Sequence, residues 1–339
     1  MTTAAPNRSV LEVIDLHVEI ASRRGVVRAV DGVSLEVPAG HAVGVVGESG
    51  SGKSMTLRAV LGVLPPEAKI TAGQVLLDGQ DLTHLSNTQL NRVRGPKIAM
   101  IFQEPMSALN PVMRVGAQIA EGPQVHLGMN RAQARERALD LMRRVGIPDP
   151  ERRYRAYPHE FSGGMRQRVM IAIALSCDPS VVLCDEPTTA LDVTIQDQIL
   201  RLLTQLCRES GTSLVFVTHD LPVVAQVCDQ LAVMYAGQIV ERGPVKEVLT
   251  RPSHPYTLGL VRSAPDVDRV RSSLLAIPGS PPSLINPPAG CRFHPRCSFA
   301  EQDCHTTMPP LRSISAERAT ACLHYERCLE ALDAQGADR

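Results

Sequence analysis

Tryptophan is absent from this sequence and all aromatic residues together make up only 3% of it. There are too few flat rings to build the stacking platforms on which proteins hold single-stranded nucleic acid. An excess of charge is missing too: Lys+Arg and Asp+Glu each number 35 among 339 residues. A formal net charge of zero argues against the basic face expected of a protein that grips a phosphate backbone, so no nucleic-acid partner is expected. Long apolar runs are also lacking. The longest, Val169 to Leu175, falls far short of the ~18 residues that suggest a membrane span. If the protein works at a membrane, it does so through partners. The segment MTTAAPNRSVLEVIDL shows no basic cluster followed by an apolar core and a small-residue cleavage site, so no secretory signal is expected.

Cysteine is present but unevenly spread. Cys177, Cys184, Cys207 and Cys228 stand in apolar or helical contexts and read as small core residues. Cys291, Cys297, Cys304, Cys322 and Cys328 crowd the C-terminal part. In a cytosolic chain such a cluster points to metal ligation before disulfides.

Short apolar runs alternate with helical patterns, which predicts an α/β fold within a length that allows about two domains. Strands are predicted at Val43–Val46, Ile98–Phe102, Val181–Cys184, Leu214–Thr218 and Leu231–Tyr235. Ile195, Ile199, Leu202, Leu203 and Leu206 recur with helical spacing, as do Ala134, Ala138, Leu141, Met142 and Val145. The stretch from about Glu104 to Cys177 lacks strand signals and reads as a helical insert. After Arg251 the texture becomes loop-rich, with Pro278, Pro281, Pro282, Pro287 and Pro288. No internal repeat is visible.

The chemistry begins at Gly47-Glu48-Ser49-Gly50-Ser51-Gly52-Lys53-Ser54, a G-x4-G-K-S loop between a predicted strand and a helix. Its glycines let backbone N–H groups turn inward around the β- and γ-phosphates of a nucleotide. Lys53 adds a point charge, Ser54 offers a hydroxyl to Mg²⁺, and the following helix aims its positive end at the same phosphates. The apolar strand Val181–Cys184 ends in Asp185 and Glu186. Asp185 suits the Mg²⁺ shell and Glu186 the orientation or deprotonation of an attacking water. Phosphoryl transfer needs little beyond such positioning and charge neutralisation.

Between the loop and that strand lies Phe161-Ser162-Gly163-Gly164-Met165, which resembles the signature sequence of the ABC ATPases. The family usually has Gln where this chain has Met165; F-S-G-G-M-R-Q-R resembles the peptide-importer branch. The resemblance runs from about Leu11 to His324. It implies an ABC-type P-loop domain: a RecA-like core with an antiparallel β subdomain and a helical subdomain. It further implies that Ser162, Gly163 and Gly164 contact ATP held by an opposite subunit. Gln103 resembles the Q-loop glutamine that senses Mg²⁺ and the membrane partner. Ala190-Leu191-Asp192 resembles the D-loop, and His219 the switch histidine on the γ-phosphate. Where the family often stacks adenine on an aromatic, this chain offers Ile20.

His254-Pro255-Tyr256-Thr257, Ile277-Pro278-Gly279-Ser280-Pro281-Pro282 and Gly290-Cys291-Arg292-Phe293-His294-Pro295-Arg296-Cys297 resemble the C-terminal extension of oligopeptide and dipeptide permease ATP-binding subunits. Nickel importers are close relatives. The expected organisation is a nucleotide-binding domain at 1–255, with its helical subdomain at about 104–177, and the extension at 256–339. Cys291-x5-Cys297-x6-Cys304-x17-Cys322 supplies four thiols. Four thiolates can hold a [4Fe–4S] cluster or a tetrahedral Zn²⁺. By resemblance some members carry the cluster there, while zinc and unligated thiols stay open. Cys328 reads as a spare. The implied partners are a second homologous ATP-binding subunit, two transmembrane permease subunits and an extracytoplasmic peptide-binding protein, with the chain on the cytoplasmic face of the membrane. A soluble ABC ATPase acting on ribosomes or DNA is the contrasting reading. The single nucleotide unit and the neutral charge disfavour it.

Overall fold

The structure, a computed structural model, describes residues 8–104, 108–188, 191–263 and 277–337. In chain order the first elements are β1 (Ser9–Ser22), β2 (Gly25–Pro38), β3 (Ala42–Val46), α1 (Lys53–Leu61), β4 (Ala68–Leu77), β5 (Gln80–Asp81), α2 (Asn87–Val93) and β6 (Ile98–Ile101). Then come α3 (Val115–His126), α4 (Arg131–Arg144), α5 (Pro150–Arg153), α6 (Gly163–Ala174), β7 (Val181–Asp185), α7 (Val193–Ser210), β8 (Ser213–Thr218) and α8 (Leu221–Val227). The last are β9 (Gln230–Tyr235), β10 (Gln238–Pro244), α9 (Val245–Thr250), α10 (Pro255–Ser263), β11 (Arg312–Ser313), β12 (Ala319–Thr320) and α11 (Tyr325–Ala337). Among the described residues no helix is long and apolar enough to cross a membrane.

The chain divides into two compact units. The first comprises Met1–Leu11, Val37–Ala42 and Leu76–Phe216. In it, β6 and β7 pair in parallel, with Ile98 opposite Val181 and Ile101 opposite Cys184, and β8 follows β7 in the sheet. All five residues of β7 are buried, as a strand covered on both faces requires. Helices α3, α4 and α6 pack together beside these strands. Helix α4 starts sharply because Asn130 accepts from the Ala132 and Gln133 N–H groups, both at 3.0 Å, while Gln133 returns a bond to the Asn130 N–H. Its Ala134, Ala138, Leu141 and Met142 are buried. In α7 the buried face is Ile199, Leu200, Leu203, Leu206 and Cys207. Leu202, expected on that face, is only half-buried, and Ile195 likewise. The inward stripe is therefore rotated toward Leu200 and Cys207, because strict i, i+4, i+7 counting ignores the width of the apolar arc.

The second unit comprises Glu12–Glu36, Val43–Val75 and Val217–Arg339. Strands β2, β1 and β4 lie side by side in it, β1 and β2 being joined through Arg23 and Arg24. Strand β3 pairs in parallel with β9, Val43 opposite Gln230 and Val46 opposite Val233. The sheet continues antiparallel through β10, β12 and β11. The loop-rich C-terminal stretch thus adds two short strands to this sheet, with Glu241 opposite Thr320.

A buried polar hub secures that addition. Glu241 is fully buried and accepts from the Ser253 N–H and hydroxyl at 2.8 and 2.7 Å, the His254 N–H at 2.9 Å and Arg318 at 3.1 Å. A buried carboxylate is tolerable only with such a complete set of donors. His254, also buried, accepts from the Tyr256 N–H at 3.1 Å and bonds the Ala321 backbone. Its ring, Tyr235, Tyr256 and Phe293 form one cluster with neighbouring centroids 4.5 to 5.9 Å apart. Two of the five tyrosines and one of the five phenylalanines thus meet where the extension joins the sheet.

Burial holds His254 neutral, with its pKa lowered from 6.5 to about 3. The unfolded chain binds a proton there below pH 6.5 that the folded chain refuses, so stability falls as pH drops. Between pH 6.5 and 5, above the ordinary carboxylate range, the urea midpoint should fall by the equivalent of roughly 1–2 kcal/mol. His254→Gln should remove most of that slope. An unchanged slope in the variant would place the pH dependence elsewhere.

Candidate functional site

The G-x4-G-K-S loop leaves β3, whose five residues are all buried, and enters α1 at Lys53. Its path leaves no room for side chains at two positions. A Cβ on Gly47 would lie 2.0 Å from the Met234 carbonyl oxygen, and one on Gly52, at φ +107°, would lie 2.3 Å from the Ala29 oxygen. The loop is pinned on that side, since the Gly237 N–H donates to the Ser51 oxygen at 2.8 Å. Gly50, at φ +77°, has open space around it. Lys53 is buried, and its ammonium curls back to the Gly47 and Glu48 oxygens at 2.7 and 3.0 Å. Positive charge therefore stands within the loop, beside the first turn of α1, where amide N–H groups have no helical partner. The Ser51 hydroxyl is buried without a hydrogen-bond partner among the described residues. A buried orphan hydroxyl in a lysine-bearing loop fits an anionic ligand such as a nucleotide phosphate. Ser54 follows in the first turn of α1, half-buried. Ile20, in β1 of the same unit, is half-buried, and His219, just beyond β8, is exposed.

The first unit gathers the carboxylates. Asp185 closes β7 and is 4% exposed. Glu186 follows with φ +45°, a backbone state that side-chain-bearing residues rarely adopt and that is often held at functional sites. The strand register explains its neighbour. Because Ile101 lies opposite Cys184, the residues two further on face one another, and the Gln103 side-chain amide donates to Glu186 at 3.4 Å. Ser162 caps α6, accepting from the Met165 N–H at 3.4 Å, and both Ser162 and Gly163 are exposed at that helix start. A Cβ on Gly164 would lie 2.7 Å from Ile195 in the first turn of α7, and one on Gly163 3.6 Å from Leu191. Asp192 caps α7, accepting from the Ile195 N–H at 3.0 Å. The Ser162-Gly163-Gly164 turn and the Leu191-Asp192 turn thus form one packed surface; Ala190 lies outside the described residues.

In the second unit Cys291, Cys297, Cys304 and Cys322 line a single small pocket with Phe293 and Phe299. The Cys291 N–H donates to the Cys304 oxygen at 2.9 Å, which brings the two chain segments together. Burial pushes the Cys297 thiol up to about 11, Cys322 up to about 12, and Cys291 in the same direction. Converging soft donors in an apolar setting fit a thiophilic metal, whose binding would displace the thiol protons. Asp303, Cys304 and His324 also bring their donor atoms within 4.8 Å of one another, and His324 bonds Asp303 at 2.9 Å. Cys328 stands apart, buried, with its thiol 3.5 Å from the Pro252 oxygen.

Two residues of the C-terminal motifs, neither of them expected at the site, touch the G-x4-G-K-S loop directly. The Tyr256 hydroxyl accepts from the Glu48 N–H at 2.8 Å, and the Arg296 guanidinium forks onto the Glu48 carboxylate at 2.7 and 3.0 Å. The partners stand 208 and 248 positions apart in the sequence, and no local pattern announces either contact.

Comparison with known proteins adds identity to this geometry. The family described as ABC transporter matches residues 30–189, and the family described as oligopeptide/dipeptide transporter, C-terminal region, matches residues 240–304. The chain is 51% identical over 314 residues to a protein of Sinorhizobium fredii named as a probable peptide ABC transporter ATP-binding protein, y4tR, covering 92% of this chain and 94% of that one. It is 46% identical over 317 residues to the oligopeptide transport ATP-binding protein OppD of Salmonella typhimurium, covering 94% of each. Among solved structures it resembles the dimeric post-hydrolysis state of the ATP-binding cassette MJ0796 bound to ADP and Pi, at a TM-score of 0.63 and 28% identity, covering 69% of this chain and 98% of that one. With an ABC cassette fold and an oligopeptide/dipeptide-type C-terminal region in one chain, this protein belongs to the peptide-transport family of ABC transporter ATP-binding proteins.

Proposed function

We propose that this chain is the ATPase subunit that powers import of di- and oligopeptides through a multi-subunit ABC transporter. The observation that carries the reading is the union, in one chain, of a lysine-bearing phosphate loop with the oligopeptide/dipeptide-type C-terminal region. In this reading residues 1–255 form the nucleotide-binding domain, with its helical subdomain at about 104–177, and residues 256–339 form the extension. Two permease subunits span the membrane, a homologous ATP-binding subunit pairs with this one, and an extracytoplasmic binding protein delivers the peptide. The chain works peripherally on the cytoplasmic face. Transport assays on the complete assembly with a peptide and with nickel discriminate the two cargoes of this branch.

Each residue then has a task. The Gly47–Ser54 backbone and Lys53 hold the β- and γ-phosphates of ATP, and Ile20 packs on the base. Ser54, Gln103 and Asp185 hold Mg²⁺, which supplies charge neutralisation to the transferring phosphoryl group. Glu186 orients or deprotonates the attacking water, and His219 contacts the γ-phosphate. Ser162, Gly163 and Gly164 offer their exposed helix start to ATP on the partner subunit, and Asp192 lies at the same dimer face. The packed surface that joins those two turns supports this assignment. Cys291, Cys297, Cys304 and Cys322 hold a [4Fe–4S] cluster that braces a segment poor in core residues. Their shared pocket supports metal ligation, with Zn²⁺ as the alternative ion.

Glu186→Gln should keep MgATP affinity and lower phosphate release by the assembled transporter at least ~100-fold. Near-normal release would remove Glu186 from the water-orienting role. Gly47→Ala drives a Cβ into the Met234 carbonyl and should abolish binding of a fluorescent ATP analogue; undiminished affinity would contradict the loop assignment. Protein purified without oxygen should be brown and hold about four irons per chain, lost on changing any of the four pocket cysteines to Ser. One zinc and no colour would assign the pocket to Zn²⁺, and no metal would leave the thiols unligated.

A further inference from the structure

Glu48 poses a physical problem in a loop that must hold a polyanion. It is the one acidic residue of the Gly47–Ser54 segment, and a free carboxylate there would repel the phosphates that Lys53 attracts. The structure neutralises it from the far end of the chain. Arg296, with a side chain 4% exposed, forks both its terminal nitrogens onto both Glu48 oxygens, at 2.7 and 3.0 Å. This is the bidentate geometry in which an arginine–carboxylate pair is strongest.

The guanidinium is itself held on every side. Its Nε donates to the Pro278 oxygen at 2.8 Å, and Nη1 also reaches the Tyr235 hydroxyl at 3.3 Å. The group lies over the Tyr235 and Phe293 rings at 5.8 and 5.9 Å. The Tyr256 hydroxyl accepts the Glu48 N–H, so backbone and side chain of this one residue are both fixed by the C-terminal part of the chain.

A second arginine reaches the loop through the Ala236-Gly237 turn. Arg292, also 4% exposed, pairs with Asp31 on β2 and donates to the Ala236 carbonyl. The next residue, Gly237, donates its N–H to the Ser51 oxygen at 2.8 Å, and its own oxygen accepts the Asp31 N–H at 2.8 Å. Arg292 therefore braces the turn on which Ser51 rests, while Arg296 grips Glu48.

We propose that Arg296, seconded by Arg292, is a positioning residue for ATP binding: it holds the Glu48 carboxylate away from the phosphates and fixes the shape of the loop. The inference rests on the loop's being the ATP site. Its specific content is that the harm done by losing Arg296 is transmitted through the Glu48 charge.

The test is a double-mutant cycle on the full chain with MgATP as the probe, read by equilibrium titration with melting temperatures in parallel. Arg296→Gln should weaken MgATP binding roughly tenfold, and Arg296→Lys, which keeps the charge but loses the fork, should weaken it less. In a Glu48→Gln background the same Arg296→Gln change should weaken binding less than about threefold, because no carboxylate is left to release. An ion pair that serves stability alone would also couple to Glu48, but its affinity losses would follow the melting temperature; a role of Arg296 independent of Glu48 would give equal losses in both backgrounds. Equal losses, losses that follow the melting temperature, or unchanged affinity of Arg296→Gln and Arg296→Lys beside a wild-type chain that binds, overturn the proposal. A wild-type chain that fails to bind MgATP overturns the ATP-site reading as well. If Arg296→Gln does not fold, Arg296→Lys in the two backgrounds carries the same comparison.

Discussion

A phosphate loop cannot hold its own shape. Residues 47–52 of this chain have no helical or strand ladder to dictate their dihedrals, and two of their glycines stand at positive φ. Such a segment keeps one conformation only if its surroundings supply the bonds it cannot make internally. The surroundings here are specific: the Met234 and Ala29 carbonyls exclude side chains at Gly47 and Gly52, the Gly237 amide holds Ser51, and Tyr256 and Arg296 hold Glu48. Much of the second unit can be understood as the apparatus that keeps this strip of backbone in place.

The same logic explains why a loop-rich extension is so heavily bonded. It has little apolar area of its own and substitutes polar anchors for a core. Glu241 gathers four donors in full burial, β12 joins β10, and His254 links the Tyr256 and Ala321 backbones. Buried ionic groups are poor sources of net stability but strict about geometry. That trade suits a segment whose task is placement: the anchors leave Tyr256 and Arg296 few alternatives to the positions from which they reach the loop.

What could be read from the sequence was what is local. The strands around Val43, Val181 and Leu231 announce themselves as short apolar runs, and β7 extends only to the acidic residue that ends its run. The helical face of α7 was legible in kind but rotated in detail, since Leu200 and Cys207 are buried and Leu202 is not fully so. The Gly47–Ser54 loop and the Asp185-Glu186 pair stand out in the sequence because their spacing is what the proposed chemistry needs. The juxtaposition of Gln103 with Glu186 follows from strand register, which no one-dimensional pattern contains. Arg292 and Arg296 stood in the sequence only as members of the extension motif; their contacts lie with partners 261 and 248 residues away.

That separation has a consequence for how the protein comes into being. Synthesis runs from the N-terminus, and a nascent chain that has emerged only as far as residue 250 already contains the whole phosphate loop. It lacks Tyr256, Arg292 and Arg296, and so lacks the groups that set Glu48 and brace Ser51. Long-range contacts of this kind are the last that a growing polypeptide can make. A product that stops short of these residues therefore carries the loop's sequence without its clamp, and the loop acquires its full set of partners only once residue 296 has been added.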